Sequence, residues 1–258
     1  SARAARSCSP ASAEMYRPEL AQSFGSVAAD YARGRPGWPL GAIDLVGLPG
    51  DVRVLDLAAG TGKLTEALAA RFDDVVAVEP DDAMRAAIRH GEVLAGSAEA
   101  IPLSDGDVDA AFVGEAFHWF CDPPALAEIA RVLRPGGTLA LLWNRQLGRL
   151  EELWQVHELM QRLRDEAGVS AKTHRFFSGE FKDVFAGSAF EPLREAFFEH
   201  DQALDREGLV AYLMSQSQVA ARSDREEIRR ELERLVPACR HVRPLRTEVY
   251  WTRLSSSA

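Results

Sequence analysis

The sequence predicts an α/β domain, a mostly parallel sheet with helices on both faces, and three observations carry that reading. Short apolar runs bounded by turn residues recur at 52–57, 75–78, 108–113 and 138–143, the pattern of strands buried on both faces. Segments with helical spacing alternate with these runs, as parallel βαβ units require. The turn Gly60-Thr61-Gly62 stands between the first run and the first such helix, at the edge where open α/β sheets bind ligands.

Taken in order, residues 1–13 are small, polar and Ala-rich, lack the apolar stretch of a secretion signal, and read as a disordered tail, with Met15 a candidate natural start. Leu20, Phe24 and Val27 then recur at helical spacing. Glycine and proline breaks make 31–39 a loop, and 40–46 a short helix ended by Pro49 and Gly50. Leu64, Ala67, Leu68 and Phe72 mark one helix face; 82–90 is a second helix, 93–95 a weak third strand and 124–133 a helix. Pro135-Gly136-Gly137 turns the chain into the fifth strand. After Asn144 the rhythm breaks into a long helix at 151–166, a mixed aromatic stretch at 176–190, a strand at 196–202 and a helix at 205–218. A charged helix at 224–235 carries the narrow apolar stripe Ile228, Leu232 and Leu235, and 247–254 alternates as a last strand. Residues 14–258 thus read as one domain with a core at 51–144, an insertion and sixth strand at 145–245 that can cover a site, and a last strand and tail at 246–258.

Composition narrows the partners. The 258 residues include 30 basic and 39 acidic ones, a formal charge of −9, which disfavours a broad electrostatic grip on nucleic acid. A few local arginines can still hold an anionic small molecule. Cys8, Cys121 and Cys239 form no CxxC pair, so a reducing, cytoplasmic setting is expected and no metal site. No run nears the roughly 18 apolar residues of a membrane span, so no membrane partner is expected.

Gly60 and Gly62 let the backbone turn sharply and let a ligand approach without a Cβ in the way. Glu79 ends the second strand, where a carboxylate can accept both hydroxyls of a ribose. Two rival phosphate-binding patterns fit less well. Lys63 follows the turn without the frame of a P-loop. A dinucleotide fingerprint expects a third glycine where this chain has Thr65.

The runs VRVLDLAAGTGKLTEALAA, VVAVEP, GSAEAIPLSDGDVDAAF, EAFHWF and IARVLRPGGTLALLWN, with RPLRTEVYWTRL near the end, resemble the class I S-adenosylmethionine-dependent methyltransferases. More narrowly they are similar to the small-molecule subgroup around trans-aconitate methyltransferase-like proteins. The resemblance covers about 24–144 and implies a Rossmann-like, seven-stranded sheet whose last strand is antiparallel, with a helical insertion after the fifth strand. It implies S-adenosyl-L-methionine as cofactor and S-adenosyl-L-homocysteine as product. The family's glycine loop would place Asp56, Ala58, Ala59, Gly60, Thr61 and Gly62 at the methionine part, Glu79 at the ribose, and Pro80 and Met84 beside the adenosine. Where the family has an adenine-binding aspartate this chain has Ser97, followed by Ala98 and Glu99; serine can still accept a hydrogen bond. Glu115, Phe117, His118 and Trp119 would lie over the sulfonium, where an aromatic face is favoured. The segment YARGRP resembles the family's N-terminal cofactor lid, here 14–50, bringing Tyr31 over the site and Arg35 to the cofactor carboxylate.

His118 is a candidate general base, with shaping the pocket as the alternative. Trp119, Trp143, Asn144, Tyr212 and Gln216 are candidate substrate contacts, and Arg175, Phe176 and Phe177 candidate lid residues; Trp143 can equally fill the core. Arg225, Arg229, Arg230 and Arg234 alternate with glutamates and read as a solvated helix face. The implied activity is methyl transfer to a small-molecule substrate, narrowed by the subgroup to a carboxylate oxygen. The rival classes are a catalytically silent S-adenosylmethionine-binding protein and an NAD-dependent oxidoreductase.

Overall fold

A computed structural model of the chain describes residues 28–148, 150–167, 179–220 and 222–255. The expected tail at 1–13, the helical spacing of Leu20, Phe24 and Val27, and the lid candidates Arg175, Phe176 and Phe177 lie outside the described residues.

The strands β1 (Arg53–Leu57), β2 (Asp74–Val78), β3 (Glu92–Leu94), β4 (Val108–Gly114), β5 (Leu133–Gln146), β6 (Arg194–Leu204) and β7 (His241–Arg253) form one seven-stranded sheet of order β3-β2-β1-β4-β5-β7-β6. β1 through β5 pair in parallel, while β7 is antiparallel to both β5 and β6. The chain leaves β1 toward β2 on one side and returns at β4 on the other, so the strand order reverses between β1 and β4. A crevice opens beyond the carboxyl ends of strands at such a reversal.

The helices are α1 (Ala28–Gly34), α2 (Leu40–Asp44), α3 (Lys63–Ala69), α4 (Asp82–Arg85), α5 (Pro123–Val132), α6 (Trp154–Glu166), α7 (Arg206–Met214), α8 (Ser217–Ala220) and α9 (Arg225–Leu235). Alternation along the strands sends side chains into two cores. Leu55, Leu57, Val76, Val78 and Trp143 pack with Ile129 of α5 on one face. Val54, Val75, Phe112 and Leu142 pack with Ile43 of α2 and Leu68 of α3 on the other. A third cluster joins α6, α7 and α9 through Leu159, Met214 and Leu232. Among the described residues no helix is long and apolar enough to cross a membrane.

The structure corrects several boundaries. Residues 28–34 are helical where 31–39 reads as loop, because α1 gains its stability from docking on α7: a Cβ at Gly34 would stand 2.1 Å from the Tyr212 nitrogen. The expected helix 205–218 divides at Ser215, whose hydroxyl donates to the Tyr212 carbonyl at 2.7 Å. The helix after β2 stops at Arg85 rather than 90, capped at its start by Asp81, which accepts from the Met84 N–H at 2.9 Å. Of the arginines read as a solvated face, Arg225 and Arg229 are half-buried and reach Asp30 of α1 at 3.3 and 2.6 Å. Arg230 and Arg234 do stay on the exposed side and donate to carbonyls of their own helix.

Candidate active site

The crevice beyond β1 and β4 is built by two sharp turns. Ala58, just after β1, has φ 59°, and Glu115, just after β4, has φ 57°; they are the non-glycine residues with left-handed backbone among those described. Such conformations cost about 1–2 kcal/mol each and gather at functional sites. Gly60 and Gly62 continue the first turn at φ 57° and 84°. A Cβ on Gly62 would come within 3.1 Å of Ile88 Cγ2, so both backbone angle and space call for glycine.

Glu79 holds this turn from the end of β2. Its Oε2 accepts the Gly60 N–H at 2.9 Å and its Oε1 accepts the Asp81 N–H at 3.0 Å. Burial raises the Glu79 pKa, and the two backbone donors oppose the rise. Asp56, fully buried within β1, accepts a hydrogen bond from Thr65 Oγ1 at 2.6 Å. Its pKa is pushed up to about 7, chiefly by burial, against the Thr65 hydroxyl and with help from the Glu79 charge. Thr65 therefore spends its hydroxyl on a strand-to-helix clamp at the place where a dinucleotide fold has its third glycine. Asp56 Oδ1 and Thr61 Oγ1 are buried with no hydrogen-bond partner among the described residues.

On the β4 side, Glu115 Oε1 accepts the Asn144 N–H at 2.7 Å; burial raises its pKa while the Arg35 charge lowers it. Trp38 lies against Gly114, where a Cβ would meet its ring at 2.8 Å. Burial, and then the Arg35 charge, lower the His118 pKa to about 4, so its imidazole is neutral at neutral pH. α1 roofs the crevice: the Tyr31 ring stands 3.9 Å from where a Gly60 Cβ would be, and Arg35 lies 4.8 Å from the Tyr31 centroid. Arg35 is anchored by donating to Ser215 Oγ and to the Ser215 carbonyl, each at 2.9 Å. The cavity between these groups, about 30 Å³, is lined by Tyr31, Arg35, Asp56, Ala58, Ala59, Glu115 and Asn144, together with Pro36, Trp38, Lys63, Leu64 and Gly114.

Of the other candidates, all but Asn144 lie outside the cavity lining. Phe117 is fully buried among Phe120, Phe181 and Phe185. Trp143 is also core, packed on Phe181 and Tyr250. Trp119 is half-buried beside His118 at 4.7 Å. Asn144 lines the cavity with its side chain already held: Oδ1 accepts from Thr247 Oγ1 at 2.6 Å, and Nδ2 donates to the Gly37 carbonyl at 3.3 Å. Ser97 and Ala100 form a bridge beyond β3, with Ala98 buried and Glu99 exposed. Pro80 is exposed and Met84 buried. Gln216 accepts from Gln218 Nε2 at 2.7 Å, away from the cavity, while Tyr212 packs between α1 and β7.

Sequence reasoning gave no place in the site to Trp38, which carries no motif of its own, or to Lys63 and Leu64, which stood only as a P-loop test and a helix-face position. The last strand starts at His241 rather than at 247, which puts Arg243, read in the sequence only as the first residue of RPLRTEVYWTRL, on its buried side.

Comparison with known proteins agrees with this geometry. A methyltransferase domain family matches residues 55–141, the stretch from β1 to β5. An uncharacterized methyltransferase of Mycobacterium tuberculosis is 48% identical over 147 residues, covering 54% of this chain and 60% of that protein. The match thus spans about 60% of the mycobacterial relative's length. A methyltransferase-like protein of Schizosaccharomyces pombe is 31% identical over 225 residues, covering 83% of this chain and 86% of its own. Two solved structures share the fold: one from Anaeromyxobacter dehalogenans, assigned as a type II methyltransferase (TM-score 0.54, 24% identity, covering 85% and 96% of the two chains), and the YcgJ protein of Bacillus subtilis (0.51, 16%, 84% and 97%). With the strand order, the glycine turn and near full-length similarity in agreement, the chain belongs to the class I S-adenosylmethionine-dependent methyltransferases.

Proposed function

We propose that the chain transfers a methyl group from S-adenosyl-L-methionine to a small-molecule acceptor, with a carboxylate oxygen as the narrower reading and S-adenosyl-L-homocysteine as the second product. The observation that carries this is the crevice at the β1–β4 reversal, where the Asp56 and Glu115 carboxyls line the cavity and Glu79 holds the glycine turn beside it. A cofactor with a sulfonium and an ammonium group suits that acidic lining. The buried, unpartnered Asp56 Oδ1 and Thr61 Oγ1 fit a polar ligand as well.

When bound, the cofactor supplies a methyl group already activated on sulfur. The chain's residues then have the work of alignment, which contributes around 7–11 kcal/mol in well-oriented systems. On this reading Asp56, Ala58, Ala59, Gly60, Thr61 and Gly62 hold the methionine part, Glu79 the ribose, and Pro80, Met84 and the Ser97–Glu99 segment the adenine side. Arg35 grips the cofactor carboxylate under Tyr31. His118, neutral at working pH, donates its ring N–H to a carboxylate oxygen of the methyl acceptor rather than taking a proton from it.

Calorimetric titration with S-adenosylhomocysteine, and in parallel with NAD⁺, tests the reading. Saturable binding of the first and none of the second is the expected result. The reverse would return the turn to a dinucleotide site.

A further inference from the structure

Two adjacent contacts join α1 to the end of α7. A Cβ at Gly34 would stand 2.1 Å from the Tyr212 nitrogen, and the next residue, Arg35, reaches Ser215. Ser215 is fully buried and lies just past the last residue of α7. Its hydroxyl accepts from Arg35 Nε at 2.9 Å, and its carbonyl accepts from Arg35 Nη2 at 2.9 Å. The same hydroxyl donates to the Tyr212 carbonyl at 2.7 Å. Nε and Nη2 form one edge of the guanidinium, so the two-point grip fixes the plane of the group as well as its place. Nη1 has no hydrogen bond among the described residues, and Arg35 lines the cavity with Asp56, Glu115 and Asn144.

Helix chemistry accounts for only part of this arrangement. A serine hydroxyl that returns to a carbonyl one turn back is ordinary, and a cation near a helix C-terminus satisfies its open carbonyls. Neither calls for the hydroxyl to accept from the guanidinium that its own carbonyl already holds. What the grip does is aim a charge. Burial raises the Tyr31 and Glu115 pKa values and lowers that of His118; after burial, the Arg35 charge is the largest influence on all three groups and lowers each. The cavity thus sets carboxyls and a held cation side by side. That is the complement of a zwitterionic amino-acid group, whose ammonium and carboxylate each favour an opposite charge.

We propose that Ser215 is a positioning residue for the cofactor: it holds Arg35 so that Nη1 is presented to the carboxylate at the amino-acid end of S-adenosylmethionine. This rests on the methyl-transfer reading and extends the cofactor site to the end of α7, inside the insertion. Ser215 acts only through Arg35. Without its hydroxyl, Arg35 Nε loses its acceptor while the bond from Nη2 to the Ser215 carbonyl stays. One bond in place of two lets the guanidinium pivot, and the fork no longer meets a carboxylate in a fixed plane.

The test titrates the full chain by calorimetry with S-adenosylhomocysteine and with 5′-methylthioadenosine, which has the nucleoside and the sulfur but no amino-acid carboxylate. The parent chain should bind S-adenosylhomocysteine about 10-fold or more tightly than the truncated ligand. Ser215→Ala should weaken S-adenosylhomocysteine by about fivefold and leave 5′-methylthioadenosine within about twofold. Ser215→Gly also lacks the hydroxyl and suits a helix end, so it carries the same expectation if Ser215→Ala does not fold. In an Arg35→Met background the effect of removing the hydroxyl should vanish, because the two residues act as one unit. No preference in the parent chain, equal weakening of both ligands, weakening of neither, or an effect that persists without Arg35 would overturn the inference and leave the methyl-transfer reading standing. Failure of the parent chain to bind S-adenosylhomocysteine would overturn both.

Discussion

Thr65 Oγ1 donates to Asp56 Oδ2 at 2.6 Å, joining α3 to β1 inside the fold. The pair sets a pH dependence. Asp56 ionises near pH 4 in the unfolded chain, while its folded pKa is about 7. Its contribution to stability is therefore fully present below pH 4 and is lost as pH rises to 7. Asp56→Asn removes that loss. Its stability relative to the parent should rise between pH 4 and 7 by on the order of 2–4 kcal/mol. Denaturant melts at the two pH values check this; a constant difference would mean that Asp56 is ionised throughout.

Glu79→Ala should weaken S-adenosylhomocysteine binding by about 10-fold or more, the range of one or two charge-assisted hydrogen bonds. Because Glu79 also holds the Gly60 and Asp81 N–H groups, Glu79→Gln is the sharper variant. It keeps one of the two acceptors for the turn and should recover part of the melting temperature while affinity stays low. Unchanged affinity in Glu79→Ala would remove the ribose role.

His118 should titrate near pH 4, because burial and Arg35 both disfavour its cation. Its ring-proton NMR shift is expected to stay flat between pH 5.5 and 8, and a midpoint near 6.5 would contradict the geometry. His118→Gln should leave S-adenosylhomocysteine affinity within about threefold while lowering turnover. Loss of binding instead would make His118 part of the pocket wall.

Gly34→Ala should loosen α1 from α7, since the new Cβ overlaps the Tyr212 backbone. A cost of about 1–3 kcal/mol is expected. Stopped-flow measurement should show faster release of S-adenosylhomocysteine, because α1 carries Tyr31 over the glycine turn. Unchanged release from a destabilised variant would separate α1 from the site.

The parallel core was legible because strands buried on two faces leave unbroken apolar runs, and β1, β2 and β4 fall within a residue of the expected bounds. Glu79 was legible as the carboxylate closing the second strand. What escaped depends on partners remote in sequence. Arg229 looks solvated until Asp30 is brought beside it. α1 looks like loop until Gly34 meets Tyr212. Phe117 and His118 are neighbours, yet the 3₁₀ turn at Phe117–Trp119 sends one ring into the core and leaves the other half-buried.

Among the described residues β6 pairs with β7 alone, and β7 pairs with β5 on its other edge. During synthesis the chain from β1 to β5 can assemble its parallel sheet while β6 has nothing to pair with. β6 must wait until α7, α8, α9 and then β7 have left the ribosome. Its Phe197, exposed even in the finished sheet, is then part of an open strand edge. A nascent chain halted before β7 should therefore be a substrate for chaperones and proteases, with amide protection in the first five strands and none in the sixth.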